Sequence, residues 1–357
     1  MLLSSFLFLG LLPPLAPQAV TEIAAEICVI DATPAGISAA IAAARLGSDV
    51  LLIERTSHIG GLPANGLGVT DISTRETIRG IFHEFISAVR QHYVDRYGED
   101  SQQGKDSSDG YHFEPHVAEE IFERMLKAEP RIRLLRMHQF EGYANVREGR
   151  VDVIQVRNRE NNQLLQVRAK VFIDATYEGD VAAAAKVPYR IGREGRDETG
   201  EPYAGVFYQY FGTKEIYPDP RTGQGDHRIQ AYNYPLCLTN RPELRIYPAK
   251  PATYNREDYA ALVDDIREKR VTRFGRSPND TAGVFNIVPV PNGKSDTNNH
   301  HNGLISTDLP EENQEWPEET WKWREKFSQR LRDYTLGLLW FTQNDPELPD
   351  WFREQAR

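Results

Sequence analysis

The chain has 357 residues, enough for one large or two medium domains with real cores. A net charge of -10 leaves no basic field to displace counterions, which excludes nucleic acid as a partner; Arg131, Arg133 and Arg136 read as a solvated face. Two cysteines, Cys28 and Cys237, cannot supply the four ligands of an iron–sulfur cluster. The neighbouring His300 and His301 do not converge on one ion in regular structure, so no metal site is expected.

Residues 1–19 carry an apolar stretch too short to span a bilayer, followed by small residues, Ala16 and Ala19, at a cleavage-type position. They read as a signal peptide without a basic n-region, which implies a secreted or periplasmic protein with no stable membrane span once it is removed. Cys28 lies in the apolar run Ile27-Cys28-Val29-Ile30, suited to a strand buried on both faces. An Ala-rich helix follows over residues 34–46, with Pro34 in its first turn and Gly47 as its stop. Residues 49–54 form the next buried strand, closing a right-handed crossover unit. Helical spacing recurs at Ile78, Ile81, Phe82, Phe85 and Val89 and again at Val117, Ile121 and Met125. Residues 100–110 between them read as a polar surface loop, and residues 133–176 as mostly strand, returning to the main sheet at 169–174. After Val187 periodicity weakens, with helices expected near 255–269 and 317–343 and no closing element at the end. The fold class is therefore α/β: a Rossmann-like parallel sheet with a β-meander over residues 20–186, of the kind that can bind FAD or NAD(P) if the turn motif allows, then a second, irregular α+β substrate domain over 187–357.

A dinucleotide site needs a tight strand-to-helix turn, backbone amides near a pyrophosphate, and an acid ending the second strand to hold a ribose hydroxyl. The turn here is Asp31-Ala32-Thr33-Pro34-Ala35-Gly36 and the acid is Glu54. Gly36 suits close helix–strand packing. The first two glycines of the usual turn are replaced by Asp31 and Thr33. A carboxylate about 5 Å from a phosphate costs roughly 3 kcal/mol at an effective dielectric near 20. That exceeds the ~0.3–2 kcal/mol offered by a helix N-terminus. Alternatively Asp31 turns away and caps the helix, leaving the fold with an empty or altered pocket.

Glu54-Arg55 followed by His58-Ile59-Gly60-Gly61 resembles the segment after the second strand of glutathione-reductase-type flavoproteins. The string from Thr33 through Gly66-Leu67-Gly68-Val69-Thr70-Asp71 resembles the FAD-dependent oxidoreductase family called xanthan lyase-like in bacteria, related to the flavin subunit of heterodisulfide reductase. So do Phe172-Ile173-Asp174-Ala175-Thr176-Tyr177-Glu178-Gly179-Asp180, Gln230-Ala231-Tyr232-Asn233-Tyr234 and Lys294-Ser295-Asp296-Thr297-Asn298-Asn299-His300. The likeness implies FAD as cofactor and a small-molecule or carbohydrate-like substrate. It implies cofactor contacts from Ala32, Thr33, Pro34, Ala35, Gly36, Glu54, Arg55, Gly60, Gly61, Asp174, Ala175 and Thr176. Family members continue to a C-terminal segment whose helix N-terminus covers the flavin ring. Nothing in this sequence resembles it, so a truncated chain or an incomplete flavin pocket is expected.

Lys294, Asp296, Asn298, Asn299, His300 and His301 are the densest polar group, read either as substrate-orienting and proton-handling residues with His300 as base, or as a polar surface loop. Tyr232 and Asn233 are weaker candidates for the same pocket, and residues 177–180 equally suit a capping turn. Three function classes stay open: a flavin oxidoreductase with impaired flavin binding or without such impairment, a flavin-free binding protein keeping the fold, and a carbohydrate lyase.

Overall fold

The computed structural model describes residues 21–210, 215–276, 283–300 and 305–357. The leader expectation and His301 lie outside these residues. The chain opens with β1 (Thr21–Ile30), α1 (Pro34–Arg45) and β2 (Val50–Ile53), the expected crossover. Then come α2 (Gly61–Ala64), α3 (Gly80–Tyr97), α4 (Gln102–Asp106) and α5 (Pro115–Lys127). The first half ends with β3 (Ile132–Leu135), β4 (His138–Arg147), β5 (Arg150–Asn158), β6 (Leu164–Asp174) and α6 (Asp180–Ala184).

Six of these strands form one sheet in the order β3-β2-β1-β6-β5-β4. β3, β2, β1 and β6 run parallel, and β5 and β4 return antiparallel as the expected meander. Alternation along β1 sends Val29 into a core with α1, α3 and α5, and sends Cys28 and Ile30 into a second core under the meander. A sheet covered on both faces explains the unbroken apolar run. Burial pushes the Cys28 thiol up to about 12, and neither cysteine forms a disulfide.

The second half contains α7 (Arg196–Thr199), β7 (Leu236–Thr239), α8 (Ala261–Arg267), β8 (Arg273–Arg276), β9 (Gly283–Val290), β10 (Lys294–Asn299), α9 (Trp321–Asn344) and α10 (Asp350–Ala356). Its strands make a sheet in the order β7-β10-β9-β8, with Phe274 and Phe285 in a core shared with α8, α9 and α10.

Four expectations need correction. Residues 100–110 are not an open loop: Ser101 accepts the Gly104 amide and caps α4, and a 3₁₀ turn follows over Ser108–Gly110. The helix expected near 255–269 is split, because a 3₁₀ turn over Arg256–Asp258 precedes α8. Thr320 caps α9, so Pro317 and its neighbours lie in a separate 3₁₀ turn. The chain does have a closing element in α10, which buries Phe352 and Ala356. Among the described residues no helix is long and apolar enough to cross a membrane.

Candidate functional site

The turn after β1 is built as a cradle. Thr33 caps α1 by accepting the Gly36 amide at 3.2 Å, and its hydroxyl donates to the Ala175 carbonyl at 2.9 Å. Thr33 thus stitches the turn to the end of β6, work that the usual glycine leaves undone. A Cβ on Gly36 would stand 2.0 Å from the Asp31 carbonyl oxygen and 3.0 Å from the Ala175 Cβ, so only glycine lets the helix approach the strand end. Asp174 closes the other side: its carboxylate accepts the Thr176 amide and hydroxyl and the Ala182 amide, anchoring α6. The structure therefore brings residues 31–36 and 174–176 together. Gly60 and Gly61 join them, since the Gly60 amide donates to the Ala32 carbonyl at 2.8 Å. Gly61 is left-handed, with φ +55°, and a Cβ there would lie 2.2 Å from the Tyr177 hydroxyl oxygen.

Glu54 is buried at the end of β2. One carboxylate oxygen accepts the Thr56 amide at 2.7 Å and hydroxyl at 2.9 Å, and the other accepts the Ala32 amide at 3.1 Å. Burial raises its acid despite these donors. The oxygen facing Ala32 keeps acceptor capacity for a ribose hydroxyl. Arg55 donates to Gln139 at 3.1 Å and stacks over Trp321, with its guanidinium carbon 3.9 Å from the ring centroid.

Asp31 is left-handed, with φ +71°, the conformation for which the usual glycine is suited. Its acid is pushed up to about 8, first by burial and then by the carboxylates of Glu54, Asp180, Glu178 and Asp174. Below that pH the side chain is a neutral acid able to donate a hydrogen bond, so the repulsion calculated for a carboxylate belongs to higher pH.

Sequence reasoning did not find the groups that close this cradle from the second half. Arg324, 2% exposed, forks both guanidinium nitrogens onto the Asp180 carboxylate at 2.8 Å each. The Trp316 indole donates to Glu178 at 2.6 Å. These partners are more than 130 residues apart in the chain, and no local pattern marks them.

The polar group at 294–300 is mostly a strand, and the surface-loop reading is corrected. β10 pairs with β7 and β9, which satisfies its backbone and permits a polar strand inside the fold. Alternation places Lys294, Asp296 and Asn298 on one side and Asn299 on the other. Lys294 forms an ion pair with the buried Glu114 at 2.5 Å. Burial opposes the charge on Glu114, but Lys294 and Asn292 hold its acid below the usual range. Asp296 accepts the Val69 amide at 3.1 Å and Asn298 at 3.1 Å; burial and the nearby Asp71 push its acid up to about 6. Asn299 accepts from Asn233 at 3.2 Å and donates to Asp308 at 3.0 Å, while His300 is buried at the strand's end. Tyr232 packs edge-on against Trp316. The five candidates are neighbours in the fold, but Lys294 and Asn299 do not face one point.

A family model described as FAD dependent oxidoreductase matches residues 26–355. The chain belongs to that family. No curated protein matches it. Among solved structures, this family member is similar to the myxobacterial chondrochloren halogenase CndH, at 14% identity and TM-score 0.39, over 87% of this chain and 59% of that one. It is similar to the quinol fumarate reductase FrdA of E. coli at 15% identity and TM-score 0.34, over 75% of this chain and 54% of that one. It is also similar to the glycerol-3-phosphate dehydrogenase of Bacillus halodurans complexed with FAD, at 9% identity and TM-score 0.32, over 54% and 44%. The chain thus spans about half the length of these structures. FAD is the family's cofactor, and the residues present fit it: Gly36 and Gly61 leave the backbone bare where side chains would collide, and Glu54 ends β2. Asp31 is the cradle residue that stands where the usual turn has glycine, and with Glu54, Asp174, Glu178 and Asp180 it makes the site acidic.

Proposed function

We propose that this protein is an FAD-dependent oxidoreductase acting on a small-molecule or carbohydrate-like substrate, with flavin affinity tuned down by Asp31. The observation that carries the reading is the joining of the 31–36 turn, Glu54 and the 174–176 strand end into one glycine-lined cradle. FAD, when bound, supplies the redox chemistry. Thr33, Pro34, Ala35 and Gly36 would present the N-terminus of α1 to the phosphates, Glu54 would hold the ribose, and Gly60 and Gly61 would admit the chain of the cofactor. On the substrate side, Asp296 is the best placed proton-handling group, because its acid is raised to about 6 and the Val69 amide and Asn298 orient it. Asn298, Asn299 and His300 would line that region, with Lys294 positioning the strand through Glu114.

A yellow protein with the absorbance bands of bound flavin, or saturable quenching of FAD fluorescence on titration, supports the reading; a colourless protein that quenches nothing at millimolar FAD overturns it. The flavin-free alternative draws on the Ala32 amide and the Leu62 amide already being taken, by Glu54 at 3.1 Å and by the Tyr177 hydroxyl at 2.8 Å.

Glu54→Gln is expected to weaken FAD binding by about 1.5–3 kcal/mol, the range for a hydrogen bond to a charged group. The fold should persist with a modestly lower melting temperature, since Gln keeps one acceptor oxygen where the Ala32 and Thr56 amides use two. Undiminished flavin retention at saturating occupancy would remove Glu54 from the ribose role.

Export is proposed from residues 1–19. Mature protein from the native host should begin near Val20, and intact Met1 in a soluble cytoplasmic fraction would overturn it.

A further inference from the structure

β7 is an end strand of its sheet, paired with β10 on one side and, among the described residues, with no strand on the other. The Asn240 amide donates to the Gly293 carbonyl at 3.1 Å, which sets the alternation of this antiparallel pair. Leu236 and Leu238 therefore turn their backbone groups towards β10, and Cys237 and Thr239 turn theirs outwards. Among the described residues no group bonds to those outward amides and carbonyls. A charge, a proline or a bulge commonly blunts such an edge. Leu236-Cys237-Leu238-Thr239 has none of these, and its register with β10 is unbroken.

An open groove of about 760 Å³ runs along this edge and wraps both faces of the strand. On one face its wall is apolar, formed by Leu238, Phe274, Ile287 and Leu339 and continuous with the core under α9 and α10. On the other face it is mostly polar, with Cys237, Thr239 and Lys294 facing Gln102 and Asp106 of α4. Glu114 neutralises Lys294, and Gln102 donates to Asp106 at 2.7 Å, so this wall favours hydrogen-bonding groups over charged ones. Beside the groove stand Leu244, Ile246 and Tyr247, which are 45%, 94% and 55% exposed. Apolar side chains laid bare next to an unpaired strand edge mark a surface that something covers.

The geometry narrows the occupant. A small molecule fills the apolar wall but leaves the outward backbone groups of Cys237 and Thr239 unpaired. A second copy of the chain brings the same groove, and two concave edges do not enter each other. A single extended segment meets every feature: its backbone completes the ladder, and its alternating side chains fall on the apolar and polar walls in turn. We propose that the free edge of β7 docks an extended peptide segment of alternating apolar and uncharged polar residues, added to the four-stranded sheet as a fifth strand. This site does not depend on the flavin reading.

Fluorescence anisotropy of a fluorescein-labelled hexapeptide of alternating valine and threonine tests the site on the full chain. Wild type should bind it saturably, and should not bind the same sequence with every amide N-methylated. Cys237→Pro deletes an outward amide and spares the ladder to β10, so it should bind roughly tenfold more weakly, while Cys237→Ser matches wild type. Bound peptide should also shield Cys237 from N-ethylmaleimide; the other cysteine, Cys28, is fully buried. If Cys237→Pro does not fold, the N-methylated peptide alone decides. No binding by wild type at millimolar protein, or equal affinity for the two peptides, overturns the proposal. So does a dimer, seen by sedimentation, that the peptide cannot dissociate and that Cys237→Ser retains but Cys237→Pro loses, because the edge then belongs to a second copy.

Discussion

Asp31→Gly should raise FAD affinity by about 2–3 kcal/mol at pH 9 and leave it nearly unchanged at pH 6. The backbone and electrostatic effects of the change fall on different quantities. The backbone at position 31 is left-handed before any ligand is bound, so the strain of about 1 kcal/mol that glycine removes at any pH appears in stability and cancels from affinity. The electrostatic part depends on the proton. With its acid raised to about 8, Asp31 is neutral at pH 6 and repels nothing; above 8 it is a carboxylate, and the ~2–3 kcal/mol penalty against a phosphate appears. Wild-type affinity should therefore fall as pH rises through 8, while the glycine variant stays nearly flat there. Stability should move the same way. A carboxyl whose folded value lies above its unfolded value stabilises the fold below about pH 4, and the gain is lost as pH rises towards 8. The variant should thus melt above wild type by the strain relief alone in acid, and by a larger margin in alkali. Flavin titrations at pH 6 and pH 9 that differ by the same amount between the two proteins would disprove the proton-dependent account.

Arg324→Ala should cost about 3–5 kcal/mol of stability, because it strands the Asp180 carboxylate inside an already acidic cluster. It also removes donors to the Trp316 and Pro317 carbonyls. Arg324→Lys should recover only part of the loss, since an ammonium cannot fork onto both oxygens. Chemical denaturation checks both. If Arg324→Ala alone costs less than 1 kcal/mol, the contact does not hold the two halves together.

The first half was legible because its signals are local. The apolar runs of β1 and β2, the Pro34 start and the Glu54 end lie within about thirty residues, and a buried parallel strand has no other reading at that length. β10 was not legible as a strand. Its residues, Lys294 to Asn299, carry no apolar alternation, and it is buried because β7 and β9 flank it and Glu114 neutralises Lys294. α4 and α10 are too short for periodicity to show. The cradle's floor was readable as a turn motif. Its roof, Trp316 and Arg324, was not, because each partner sits over a hundred residues away.

The Arg324–Asp180 fork and the Trp316–Glu178 bond also bear on kinetics. They clamp the second half over the strand ends at which a dinucleotide would enter. A ligand lodged beneath them leaves only when they part, so its release rate is set by an opening of the protein and not by its own contacts. Bound flavin should exchange slowly even where its equilibrium affinity is modest, and binding to the folded protein should be slow for the same reason.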